Sequence, residues 1–189
     1  MQEKRVFMVV YMGVGKSTSG ARLAKLMGLP FFDTDAVLRQ RHGCSISRLF
    51  EEQGEPAFRT MERDVLHDLV RDHEQVLIST GGGTPCHADN MEFMRTHGTV
   101  VYLQMPADAL VMRLEGRADQ RPLIAGLSAE ALPAFVARHL AEREPVYSQA
   151  HITVDARHFD RDRMKSVRNL VEGRAWFSPS EPPRPDLDR

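Results

Sequence analysis

The sequence predicts an α/β fold in which a parallel sheet is covered by helices on both faces. Short apolar runs, typical of buried strands, alternate with longer segments of helical periodicity along most of the 189 residues. Such alternation is typical of parallel strands joined by crossover helices. A glycine-rich turn also connects the first strand to the first helix. The length suits one domain with a short tail.

Five apolar runs are predicted to form the strands, because β-branched and aromatic residues dominate them and turn residues bound them. The first run is continuously apolar, which indicates burial on both faces. The second is short and delivers two aspartates at its carboxyl end. The predicted strands are 5–10, 30–32, 75–80, 99–104 and 152–154.

Segments with apolar residues three and four positions apart predict the helices. Gly28 and Gly43 are expected to end the first two, and Ser45 is expected to cap the third. Pro145 is expected to break the chain. The predicted helices are 17–27, 36–42, 46–53, 55–73, 89–96, 107–114, 129–142 and 160–172.

The composition argues against several function classes. The formal net charge is −1 and charges of both signs are interspersed, so no basic face indicates a nucleic-acid partner. No apolar stretch or signal-like segment indicates a membrane partner or export, so we expect a cytoplasmic protein. Cys44 and Cys86 lack CxxC or metal-ligand spacing, which favours free thiols in a reduced compartment.

The turn after the first strand has the spacing of a phosphate-binding loop, or P-loop. Glycines let successive N–H groups point at an anion, and the following helix adds its dipole. Lys16 is expected to reach the β- and γ-phosphates, and Ser17 is expected to ligate Mg²⁺. The expected phosphate cradle comprises Gly13, Val14, Gly15, Lys16, Ser17 and Thr18.

One position departs from the P-loop motif. Val10 stands where the first glycine is expected, and a β-branched residue favours negative φ and adds bulk at the end of the strand. The inward-facing amides come mostly from residues 13–18. We therefore expect the cradle to form with a slightly altered shape.

Two aspartates follow the second predicted strand. Asp33 and Asp35 occupy alternate positions, hence one side of the chain, at the sheet edge where ligands of open α/β sheets bind. One carboxylate could hold the Mg²⁺ shell through water, and the other could orient or deprotonate an acceptor hydroxyl. The alternative is a turn that caps the next helix.

The next two features have different default interpretations. Glu55, Arg59 and Glu62 are spaced as an exposed ion-pair ladder on one predicted helix. Three consecutive glycines, by contrast, cost conformational entropy unless the backbone must approach another group closely, and a ligand at this edge would supply the reason. These glycines are Gly81, Gly82 and Gly83.

Two arginines stand in or near a segment without periodicity. Residues 115–128 are typical of a functional loop or lid. Arg121 lies within this segment, and an arginine in a mobile loop can close on transferring phosphates. Arg143 follows the next predicted helix, where it could bind a carboxylate bidentately.

Taken together, these motifs resemble those of shikimate kinases in order and in spacing, and the resemblance runs from residue 5 to residue 172. It rests on Met12-Gly-Val-Gly-Lys-Ser-Thr18, Phe32-Asp-Thr-Asp35, Ile46-x-x-Leu-Phe50, Gly54-Glu-x-x-Phe-Arg59-x-x-Glu62, Ser79-Thr-Gly-Gly-Gly83, Arg121-Pro-Leu123 and Arg143-x-Pro-x-Tyr147.

The resemblance implies a three-layer P-loop kinase fold with a five-stranded parallel sheet in the order 2-3-1-4-5, helices on both faces and a lid segment. It implies ATP and Mg²⁺ as cofactors, and phosphorylation of the 3-hydroxyl of shikimate in the pathway to chorismate and aromatic amino acids. The expected catalytic domain is 1–172, with an acceptor-binding segment at 33–62 and a lid at 115–128. Residues 173–189 are expected to form a flexible proline-rich tail, and we expect a monomer.

The resemblance also implies roles for single residues. Asp35 would help to activate the attacking hydroxyl, and Asp33 would act in the Mg²⁺ shell through water. Arg59 and Arg143 would hold the shikimate carboxylate. For Arg59, this role is preferred over that of a member of an ion-pair ladder. Arg121 would close onto ATP with the lid. The residues implied to contact the acceptor are Asp35, Arg59, Gly81, Gly82, Gly83 and Arg143.

Two alternative functions remain open at this point. One is a P-loop kinase of another small hydroxy acid such as gluconate, against which the two arginines and the three glycines argue. The other is a kinase-like module that binds a ligand without catalysis, which Val10 motivates. Arg113 and Arg117 are equal candidates for contact with adenine.

Overall fold

A parallel sheet of five strands forms the centre of the computed structural model, which describes residues 4–115, 123–124 and 126–174. The strands are β1 (Lys4–Val10), β2 (Phe31–Asp33), β3 (Gln75–Ser79), β4 (Thr99–Gln104) and β5 (Ile152–Asp155). Their order across the sheet is β2-β3-β1-β4-β5, which confirms the expected order. Because β1 is central, Val6 pairs with Leu77 on one side and with Thr99 on the other.

Six α-helices connect these strands within the described ranges, and a seventh follows β5. They are α1 (Lys16–Met27), α2 (Thr34–His42), α3 (Ile46–Asp72), α4 (Asn90–His97), α5 (Ala107–Leu114), α6 (Leu132–Tyr147) and α7 (Arg161–Arg174). Short 3-10 turns cover Thr84–Cys86 and Ala156–His158. The predicted tail at 173–189 lies outside the described residues beyond Arg174, where α7 ends.

The predicted helix ends are largely confirmed. Gly28 and Gly43 both take a left-handed conformation with φ of 67°, which a glycine adopts without steric cost. The Ser45 side chain accepts a hydrogen bond from the Arg48 backbone N–H at 3.2 Å and so caps α3.

Helix α3 contains a sharp interruption at Gly54, where φ is 75° and ψ is 164°. Only glycine adopts such a conformation readily. The proline two residues later suits the first turn of the second segment, because a backbone N–H at that position would have no partner within the helix. The two predicted helices 46–53 and 55–73 therefore form two arms of α3 that meet at Gly54. Residues on the second arm reach the sheet edge beside residues 81–83.

The predicted bounds of helix α6 were wrong at both ends. Ala131 donates its N–H to Ser128 in a turn, and the helix begins only at Leu132, whereas the pattern predicted residue 129. Pro145 does not break the helix, which continues to Tyr147. The proline lies within the last turn, and the helix ends two residues later. It therefore removes only one intrahelical hydrogen bond, near the end of the helix.

The core lies on both faces of β1 and β4. Val6, Phe7, Val100 and Val101 are completely buried, as their continuous apolar runs predicted. No helix among the described residues is long and apolar enough to cross a membrane. Cys44 and Cys86 are free thiols, as their spacing predicted.

Candidate active site

Two adjoining clefts open at the carboxyl edge of the sheet, where β1, β2 and β3 end. The P-loop cleft, of about 270 Å³, is lined by residues 10–13 and 15–18 with Asp35 and Gly82. The arginine cleft, of about 300 Å³, is lined by Met12, Asp35, Arg39, Ile46, Ser47, Phe50, Phe58, Arg59, Glu62, Gly81, Gly82, Gly83, Leu123 and Arg143. Asp35 and Gly82 line both clefts, so the two spaces meet there.

The backbone of residues 13–18 forms the wall of the P-loop cleft. Gly13 and Gly15 both have φ of 92°, which side chains rarely permit. Gly15 caps α1 without a side-chain hydrogen bond, so the first N–H groups of α1 remain available to an anion. Arg113 donates to the Val14 carbonyl at 3.0 Å and holds the loop from outside.

Val10 fits the strand without backbone strain. It is the last residue of β1, pairs with Leu103 and is 2% exposed. Among the described non-glycine residues a positive φ occurs only at Ala88, so Val10 has the ordinary backbone that its side chain requires. The missing glycine therefore leaves the left-handed turns at Gly13 and Gly15 intact.

Lys16 lies between the two aspartates that follow β2. Its Nζ forms an ion pair with Asp35 Oδ2 and lies 3.2 Å from Asp33 Oδ1. Ser17 Oγ donates to Asp33 Oδ2 at 2.5 Å. Asp33 also accepts from the Asp35 N–H at 3.0 Å, so it caps α2 as well. The capping and functional interpretations of the pair are therefore compatible.

The charge of Lys16 keeps Asp33 ionised. Burial acts to raise the pKa of the Asp33 carboxyl, but the Lys16 ammonium and the hydrogen bonds from Ser17, Lys16 and the Asp35 backbone outweigh it and lower this pKa. An ionised carboxylate beside the Ser17 hydroxyl suits Mg²⁺, which binds few protein oxygens and takes its remaining ligands from water and phosphates. These two groups fit the expected metal-binding role.

The ion pairs predicted on α3 form, but the expectation of an exposed ladder is wrong, because the side chains of Arg59 and Glu62 are largely buried and line the arginine cleft. Arg59 Nη1 donates to Glu62 Oε2 at 2.7 Å, and Arg59 Nη2 donates to Glu55 Oε1 at 2.9 Å. The Glu62 side chain is only 2% exposed and also accepts from Thr84 Oγ1 at 2.7 Å. Arg59 is thus fixed on its buried side by Glu62 while its other side faces the cleft.

The protein's own atoms account for the close approach at the three glycines. A Cβ added to Gly81 would lie 2.3 Å from Glu62 Oε1, and one added to Gly83 would lie 2.3 Å from Arg59 Nη1. At Gly82, an added Cβ would lie 3.1 Å from the Val10 carbonyl oxygen. The sequence suggested a ligand as the reason for this close approach, but the ion pair on α3 already supplies one.

Helix α6 brings Arg143 to the cleft and contacts two other parts of the site. Tyr147 donates its hydroxyl to the Gly82 carbonyl at 2.5 Å, and His139 Nδ1 lies 2.8 Å from the Tyr11 hydroxyl. Desolvation by burial raises the pKa of Tyr11 to about 12 and lowers that of His139 to about 4. Sequence reasoning did not find His139 or its contact with Tyr11; its four-residue spacing from Arg143 was the available signal.

The remaining predicted residues separate into two groups. Thr18 lines the P-loop cleft, and Val14 is buried beneath it. Arg121 and Arg117 lie outside the described residues, so the structure places neither of them. No group of three metal-binding side chains occurs in the described part of the chain.

A phosphate-binding loop after the central strand, with a second cleft at the same sheet edge, defines the class of P-loop kinases. The protein-family model for shikimate kinase matches residues 12–172, so the chain belongs to the shikimate kinase family. Shikimate kinase from Parabacteroides distasonis is 52% identical over 153 residues, which cover 81% of this chain and 88% of that protein.

Solved structures give the same result. Shikimate kinase from Bacteroides thetaiotaomicron has 37% identity and a TM-score of 0.79, covering 90% of this chain and 97% of its own. Shikimate kinase from Acinetobacter baumannii, solved in complex with shikimate, has 34% identity and a TM-score of 0.80, covering 90% and 93%. A gluconokinase from Sinorhizobium meliloti, at 16% identity and a TM-score of 0.58, shares the fold alone.

Proposed function

We propose that this protein transfers the γ-phosphoryl group of ATP to the 3-hydroxyl of shikimate and releases shikimate 3-phosphate and ADP, a step toward chorismate and the aromatic amino acids. The observation that carries the proposal is the junction of the two clefts at Asp35 in a member of this family. A phosphate donor and an anionic acceptor bound in the two clefts would meet at this carboxylate.

The donor side uses the loop amides and Lys16. The N–H groups of residues 13–18 and the Lys16 ammonium bind the phosphates and stabilise the charge that develops on the transferred group. Ser17 would hold Mg²⁺ directly and Asp33 would hold it through water, and the ion would supply further neutralisation of that charge. Binding of phosphate draws Lys16 from Asp35, which frees the carboxylate for the acceptor.

The acceptor side uses Asp35 as its catalytic residue. The Asp35 side chain is 27% exposed at the junction of the clefts. It accepts a hydrogen bond from the attacking hydroxyl, aligns that oxygen with the γ-phosphorus and takes its proton as the bond forms. Arg59 and Arg143 bind the acceptor carboxylate, and residues 81–83 let the ring approach the sheet edge.

The proposal extends to the organisation of the chain. The catalytic domain is 1–172, and residues 33–62 form the acceptor-binding segment, since they supply seven of the side chains that line the arginine cleft besides Asp35. The lid at 115–128 and the closure of Arg121 onto ATP remain predictions from the sequence. The enzyme acts as a cytoplasmic monomer on a small molecule, without a nucleic-acid or membrane partner. The balanced charge of the chain supports the lack of a nucleic-acid partner.

A coupled assay of ADP release tests the function directly. ADP release should depend on ATP, Mg²⁺ and shikimate together, and gluconate at the same concentration should give no turnover. Asp35→Asn is the inactive control, and its preparation excludes a contaminating kinase. Lack of shikimate-dependent turnover in purified, folded protein would contradict the proposal and favour the ligand-binding module.

A further inference from the structure

The arginine cleft contains three guanidinium groups, but they are not equally available to an anion. Arg59 already uses three of its five N–H donors on the chain's own carboxylates, through two bonds to Glu55 and one to Glu62. Two carboxylates and one guanidinium leave this group with an excess of one negative charge. Arg59 can therefore donate hydrogen bonds to a bound substrate, but together with its two carboxylates it provides little net electrostatic attraction for a negatively charged one.

Arg39 is in a different position. It lies one turn after Asp35 on α2, is exposed and lines the arginine cleft. In the described part of the chain, neither Arg39 nor Arg143 has a carboxylate oxygen within 4.0 Å of its guanidinium, whereas Arg59 is paired with two carboxylates. Arg41, two residues later on the same helix, is instead bound to Asp68 of α3 at 2.7 Å. The two arginines of α2 are thus divided between the cleft and a structural ion pair.

We propose that Arg39 is a specificity-determining residue whose uncompensated charge, at the α2 wall of the arginine cleft, selects anionic acceptors over neutral ones of the same shape. This inference rests on the proposed function, because it concerns the acceptor of the same reaction. The charge acts on the carboxylate through a cleft bounded by protein, where screening by solvent is weaker than on an open surface. Asp35, four residues earlier on α2, remains the catalytic residue.

The methyl ester of shikimate separates charge recognition from fit, since it keeps the ring and the hydroxyls but carries no negative charge. In Arg39→Gln we expect kcat/KM for shikimate to fall about 3- to 10-fold, through KM, while kcat changes less than twofold. For the ester, kcat/KM should remain unchanged. Raising the ionic strength should reduce kcat/KM for shikimate less in this variant than in the unsubstituted protein.

Arg41→Gln is the matched control, because it removes the same charge from the same helix outside the cleft. It should leave the kinetics of both acceptors unchanged, and Arg39→Lys should restore most of the preference for shikimate. Equal losses for shikimate and its ester, or no loss for either, would overturn the role of Arg39. Turnover of shikimate by the unsubstituted protein distinguishes this result from failure of the proposed function, which would leave that protein inactive as well.

Discussion

The two clefts that meet at Asp35 are built in different ways. One contiguous stretch, residues 10–18, supplies almost the whole P-loop cleft, largely through its backbone. The arginine cleft takes side chains from α2, from both arms of α3 and from α6, and the backbone of residues 81–83 completes it. A backbone cradle depends on local conformation, whereas a cleft of side chains depends on several elements being held in place together.

This difference predicts different failures for the two halves of the site. A change in the P-loop cleft should act on ATP through backbone conformation. A change in the arginine cleft should weaken the binding of shikimate, even where the mutated residue does not touch shikimate itself, because it displaces a neighbouring side chain that does. Separate measurement of KM for ATP and for shikimate therefore tests whether the halves are independent.

The largest effect is expected at their junction. Asp35→Asn keeps the shape of the side chain but removes the group that accepts the proton, so kcat should fall about 1,000-fold or more. ATP affinity should change less than threefold, because the loop amides and Lys16 remain. Asp162→Asn, at an exposed position of α7, is the control and should be fully active. A turnover loss below tenfold in Asp35→Asn would refute its catalytic role.

Removal of either acceptor arginine should come next. Arg59→Ala and Arg143→Ala should each raise KM for shikimate by about 30-fold, corresponding to about 2 kcal/mol, with KM for ATP unchanged. Their stabilities should differ, because Arg59→Ala leaves the buried Glu62 carboxylate without its counter-charge, at a cost of about 3 kcal/mol in the free energy of unfolding. Urea denaturation measures that difference, and a normal KM in both variants would contradict the carboxylate assignment.

The same substitution in each cleft gives a smaller and more selective effect. Gly15→Ala requires a side chain at φ of 92°, which costs about 1–2 kcal/mol, and should weaken ATP binding. Gly83→Ala places a Cβ against Arg59 and should raise KM for shikimate several-fold with ATP unaffected. Gly173→Ala, where an added Cβ meets nothing within 4 Å, is the neutral control. Equal effects on both ligands would show that the clefts are not independent.

The smallest effect on activity is expected at the strand end. Val10→Gly restores the glycine of the motif but removes a buried side chain from β1, so thermal stability should fall while KM for ATP changes less than threefold. The residue lies before the left-handed turns that form the cradle. A gain from no turnover to full turnover would instead identify the natural protein as a ligand-binding module.

The order of the strands followed from the resemblance to the family. The sequence by itself was sufficient for the parallel sheet, the glycine-rich turn at residues 13–18 and the family. Each depends on spacing within one stretch or on the alternation of strands and helices, and both are local properties of the chain. The helix end at Tyr147 was missed because a proline in a last turn costs less than one in the interior. A proline in the interior of a longer helix would have broken that helix.

The tertiary structure alone decided which groups face one another. The spacing of Glu62 on α3 suited an exposed ladder, but burial against the glycine loop makes it the anchor of Arg59. Likewise, Arg39 and Arg41 are equivalent in the sequence of α2, and only packing against α3 engages one and leaves the other beside the cleft. Sequence periodicity specifies a face of a helix, whereas the charges and atoms opposite that face come from segments distant in the chain.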